Sequence, residues 1–176
     1  MPLSPWLVAV VVFSSTIAGD PPGIGGQGVE KAARVSPWPC RLIPVPKLRS
    51  VIEKGMERSE TIRRQCDELA AARAVVDLDW DTATDSQSHA KSKMGVHGGV
   101  VAATVKLPPL GDTIVLLAHE LQHVIEQTRG VDLAAEAGRP GSGVWKASGG
   151  YETQAAVDVT RQVTRELRDY RKRHRK

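Results

Sequence analysis

Five consecutive residues, His119-Glu120-Leu121-Gln122-His123, set two imidazoles four positions apart with a glutamate beside the first. In a helix, residues four apart lie one turn along and about 40° round, so both rings project from one face. This is the spacing with which two histidines hold a zinc ion through ring nitrogens at about 2.0–2.1 Å. Glu120 falls one position round from His119, beside such a metal without ligating it. There it can take a proton from zinc-activated water and hand it to a leaving amine. The surrounding stretch, Asp112 to Gln127, is apolar on most of its faces and predicts a central, buried helix. Two histidines and a glutamate inside such a helix are costly unless a metal or hydrogen bonds satisfy them.

A catalytic zinc needs a third protein ligand and keeps one position open. The best-placed candidate is Glu152, expected at the first turn of the last helix after Gly149-Gly150. An acid at that place also gains from the helix dipole, which is a structural use of the same residue. Asp132 is the competing ligand. Glu126 is two turns from His119, too far along the axis to share its metal. His89 and His97, in a polar connection, read as surface or structural histidines.

The elements that must position these residues follow from period and punctuation. A long backing helix is predicted from Lys47, with one stripe through Leu48, Val51, Ile52, Gly55, Ser59, Ile62, Cys66 and Leu69. Val76, Leu78 and Trp80 alternate with Asp77, Asp79 and Asp81, a half-buried strand whose aspartates line a solvated face. These aspartates lack the glycine and distal glutamate of a calcium loop. Residues 81–93 read as polar turns, and Val100–Leu107 as a second strand ended by Pro108-Pro109. Asp112 is the expected N-cap of the histidine helix and Gly130 lies where its C-cap should be. A glycine-rich loop then leads to a final helix from near Tyr151, with Ala155, Val159, Val163, Leu167 and Tyr170 on one face.

In this order of elements the chain resembles the zincin metallopeptidases, and within them the gluzincins. The resemblance is carried by HELQH at 119–123 and YETQA at 151–155, over roughly residues 47–170. It implies an α+β fold: a small mixed sheet on a backing helix and a central zinc-binding helix, followed by a C-terminal glutamate helix. It also implies that His119, His123 and Glu152 ligate zinc, that Glu120 is catalytic, and that a peptide or protein substrate lies extended along an edge strand. By analogy Val100–Leu107 would be that strand. Tyr151 or His97 is the expected support for the oxyanion. The metzincin pattern is not met, because Glu126 and Arg129 stand where it requires glycine and histidine.

Composition narrows the remaining choices. At 176 residues, 41% hydrophobic and 25% charged, the chain is ordinary for a compact folded protein. The net charge of +4 comes from the end of the chain, since Arg168–Lys176 holds six basic residues and one acid. Residues 171–176 are therefore a basic tail, and the body carries no charge argument for nucleic-acid binding. The apolar run Leu7–Phe13 is too short to span a membrane and reads as the core of a signal peptide over 1–18. Residues 19–46 read as a Gly/Pro-rich linker and extended segment, and the mature protein as secreted or periplasmic with no membrane span. In that oxidising setting Cys40 and Cys66 either pair or remain separate, Cys66 then being a buried helix thiol. The sequence thus points to an exported zinc metallopeptidase. The alternative is a non-catalytic zincin-like metal-binding or interaction domain, which would have no use for Glu120 as a base.

Overall fold

The computed structural model describes residues 37–81, 90–97, 100–109, 111–147 and 150–175, leaving aside the side chains of Lys91, Val96 and His97. The expected signal peptide, most of the linker and His89 lie outside the described residues. Four strands, β1 (Arg41–Pro44), β2 (Val75–Trp80), β3 (Lys91–His97) and β4 (Val100–Leu107), form a sheet in the order β1-β2-β4-β3. β1, β2 and β4 run parallel, and β3 pairs antiparallel with β4. The fold is therefore mixed α+β around a small mixed sheet. Alternation in β2 buries Val76 and Leu78 and exposes Asp77 and Asp79, the solvated face expected of them, but Asp81 is buried.

The sheet order corrects one expectation. Val100–Leu107 is an interior strand, hydrogen-bonded on both sides, and the sheet's edges are β1 and β3. Part of the connection read as polar turns is thus a strand. Its sequence, KSKMGVH, has little apolar alternation because an edge strand needs less burial.

The crossover from β1 to β2 is not one long helix. α1 (Pro46–Arg58) and α2 (Glu60–Ala71) are separated by Ser59, whose backbone is extended at φ −129°, ψ 119°. The Ser59 hydroxyl accepts from Ile62 N at 3.2 Å, capping α2, and donates to Glu166. Gly55 permits the close approach of the two helices, since a Cβ there would stand 3.0 Å from Ile62 Cδ1. Cys40 and Cys66 are disulfide-bonded, tying the entry of β1 to α2. The core joins Leu42, Leu48, Ile52, Leu69, Val76 and Leu78 to β4 and to one side of α3 (Thr113–Thr128). A second cluster, Ile62, Ala118, Val163 and Leu167, packs α5 (Gln154–Arg173) against α2 and the other side of α3.

The helix α3 is central, as its composition requires. Asp112 occupies its N-cap without a side-chain capping bond, and Gly130 follows its last turn at φ 82°. The short α4 (Leu133–Glu136) comes next. Where a loop was expected, β5 (Val144–Ala147) and β6 (Gly150–Thr153) pair as an antiparallel hairpin. The basic tail is not separate from the body, because Arg171–Arg173 form the last turn of α5. No described helix is long and apolar enough to cross a membrane.

Candidate metal centre

Three ligand-bearing residues converge. His119 Nε2 and His123 Nε2 lie 3.2 Å apart, with the rings edge to face at 81°. Glu152 Oε2 is 3.3 Å from His119 Nε2, and its Oε1 is 3.5 Å from His123 Nε2. Each imidazole nitrogen thus faces its own oxygen of Glu152, and one ligand atom from each of the three residues lies within 4.8 Å of the other two. The group His119, His123 and Glu152 can hold a metal ion.

Glu152 reaches this place from a strand and not from a helix, which corrects the expected glutamate helix. The hydroxyl of Thr153 accepts from Ala156 N at 3.0 Å, so α5 is capped at Thr153 and begins only at Gln154. Glu152 is held one residue earlier, directly across the hairpin from Trp145. Its Oε1 also accepts from Thr153 N at 2.8 Å, which orients the carboxylate. Asp132, the competing ligand, is spent elsewhere: its Oδ1 accepts from Ala134 N and Ala135 N and caps α4.

Two further residues face the Nδ1 sides of the imidazoles: Thr160, which the sequence did not single out, and Glu126. Thr160 Oγ1 lies 3.0 Å from both Ala156 O and His119 Nδ1; with its proton given to Ala156 O, its lone pair can accept a proton from Nδ1. In that tautomer Nε2 of His119 is a lone pair aimed at the site. Glu126 Oε2 accepts from Thr153 Oγ1 at 3.0 Å and stands 3.4 Å from His123 Nδ1. At that length Nδ1 is a buried atom with an ionic contact and no well-formed hydrogen bond. Glu126 lies outside the converging group and faces the Nδ1 side of the His123 ring. Its spacing of three from His123 is a local signal; the approach of Thr160 across 41 residues leaves none.

The centre is electrostatically short of positive charge. Burial holds the proton affinity of His119 below its ordinary range, opposed by Glu152. Burial also works against charge on His123, but Glu126, Glu120 and Glu152 together outweigh it and raise its pKa. Burial pushes the Glu120 carboxyl up, against His123 and a hydrogen bond from Ser92 on β3. Two imidazole nitrogens and a carboxylate drawn together fit a metal cation.

No protein family, curated protein or solved structure matches the chain. What the site does must therefore be argued from its own geometry.

Around the three ligands opens a cleft of about 950 Å³, bounded by Ser92 and Met94 of β3, Glu120 of α3 and Tyr151 of β6. Glu120 is only 4% exposed, yet it borders this space. Tyr151 stands at the mouth, half in solvent. His97 closes β3 opposite Val100, and its side chain is outside the description.

Proposed function

We propose that the protein is a zinc-dependent metallopeptidase of zincin type, exported, and acting on peptide bonds. The observation that carries this reading is the convergence of His119, His123 and Glu152 with Glu120 beside them on the same helix, facing a cleft. A purely structural zinc site is closed by four protein ligands, whereas among the described residues this group offers three, beside a cleft. When bound, zinc supplies Lewis acidity toward a carbonyl oxygen and lowers the pKa of water.

The chain's own residues supply the rest. Glu120, with its carboxyl raised by burial, accepts the proton of the attacking water and returns it to the amine as the C–N bond breaks. Thr160 faces Nδ1 of His119 within hydrogen-bond distance and Glu126 makes an ionic contact to Nδ1 of His123, both on the sides of the rings away from Nε2. The open edge of β3 offers backbone groups to an extended peptide beside the cleft, the part first assigned to Val100–Leu107. Glu152 on a strand departs from the gluzincin arrangement but supplies the same carboxylate. The Cys40–Cys66 disulfide supports an oxidising compartment.

Hydrolysis of peptide pools by zinc-loaded protein tests the reading. Glu120→Gln should retain zinc and the fold while the rate falls by about 10²–10⁴, the usual contribution of a positioned base. Equal rates for the two proteins, or no cleavage of any pool by the wild type, would remove the peptidase assignment.

A further inference from the structure

Beside the metal cleft runs a second groove of about 460 Å³, between the β5–β6 hairpin and the segment after α4. Tyr151 and Ala134 line both cavities, so the two adjoin at these residues. Their linings differ in charge. Among the described residues the cleft is bordered by Glu120, Asp132 and Glu152 and by no lysine or arginine. The groove is bordered by Arg139 and Lys146 and by no acid.

The groove is also where the molecule leaves aromatic surface uncovered. Trp145 is 40% exposed and Tyr151 39%, and the only other large hydrophobic side chain so exposed among the described residues is Val100. Exposed aromatic rings at the lip of a polar site are a mark of ligand contact, because solvent exposure of such area has no structural return. In the hairpin Trp145 pairs with Glu152 and Lys146 with Tyr151, so the strands that line the groove also carry Glu152. Arg139 uses Nη1 for Glu136 at 2.6 Å, and Lys146 has no ion pair among the described residues.

We infer that this groove is a substrate subsite that takes an acidic residue of the peptide, next to the bond held in the metal cleft. The inference rests on the peptidase reading and names the substrate class for it: peptides with an aspartate or glutamate a short distance from the cleaved bond. Trp145 and Tyr151 cover the apolar part of the chain, and Lys146 and Arg139 meet its carboxylate.

The test uses zinc-loaded Glu120→Gln protein and fluorescence anisotropy, so that binding is read without cleavage. The probes are two pools of short labelled peptides, identical except for a single Asp in one and a single Lys in the other. The Asp pool should bind about fivefold tighter at low salt, and the preference should shrink in high salt. Lys146→Gln with Arg139→Gln, both at exposed positions, should abolish the preference. Trp145→Ala should weaken both pools alike, by about threefold. Equal binding of the pools, no binding of either, or a preference that survives the double substitution overturns the inference. Wild-type hydrolysis, measured in parallel, separates the two readings. Cleavage without Asp preference keeps the peptidase and removes the subsite; Asp preference without cleavage does the reverse.

Discussion

Two partly buried carboxylates, Glu152 and Glu166, stand in opposite surroundings. Glu166 on α5 is enclosed by donors: the hydroxyls of Ser59 and Thr61, the Thr61 amide and the Gln162 side chain. Glu152 has one backbone donor, Thr153 N, and otherwise faces the Nε2 atoms of two histidines. The first carboxylate is satisfied by protein alone and pins the α1–α2 break to α5. The second gathers lone pairs that only a proton or a cation can reconcile. A carboxylate's role is therefore read from what faces it, and burial alone does not distinguish the two.

If the contrast is real, metal and stability must separate along it. The largest effect is expected at the histidines. His119→Ala should reduce zinc from near one per chain to near none. Chelation of the wild type should lower its thermal midpoint by on the order of 10 °C, because a site saturated about a thousandfold over its Kd contributes about 4 kcal/mol. Elemental analysis and calorimetry check both. Unchanged melting after complete chelation would make Glu152 as self-sufficient as Glu166.

Exchanging the two glutamates for glutamine sharpens the comparison. Glu152→Gln should weaken zinc binding by more than about a hundredfold, beyond the range for losing an outer partner, and leave metal-free stability nearly unchanged. Glu166→Gln should leave zinc affinity alone and cost about 1–2 kcal/mol, the value of charged hydrogen bonds discounted for solvent exposure. Titration calorimetry with denaturant unfolding tests the pair. A loss of zinc affinity in Glu166→Gln would break the separation.

The smallest effect is a pH dependence. Burial by itself would raise the Glu166 carboxyl, but its hydrogen bonds from Ser59, Gln162 and Thr61 hold it below the ordinary 4.5. A folded value below the unfolded one contributes stability that is present above about pH 4.5 and is lost as pH falls through the folded value. Metal-free wild type should therefore lose stability over that acid range more steeply than metal-free Glu166→Gln. Parallel curves would show that Glu166 carries no linked proton.

What was legible in the sequence was local. The pairing of His119 with His123 needs only helical geometry, and the apolar surround of α3 announced its burial. Glu152 was legible as a candidate third ligand because it stands just after Gly149-Gly150, where a new element was expected to begin. Its strand was not, because β6 exists only by pairing with Trp145 and Lys146, and a Gly-rich approach reads the same for a loop and a hairpin. Ser59 sits on the apolar stripe of an apparently continuous helix, and its capping role emerges only when α5 brings Glu166 to it. The sheet order, which makes β3 an edge in place of β4, depends on crossovers that no periodicity records.

The ligand set is tested most directly by zinc K-edge X-ray absorption of the protein loaded with one equivalent of zinc. Two imidazole nitrogens from His119 and His123 and a carboxylate oxygen from Glu152 should appear at about 2.0–2.2 Å in a four-coordinate shell. A spectrum with sulfur neighbours, without imidazole scattering, or identical to that of the hydrated ion would contradict the site.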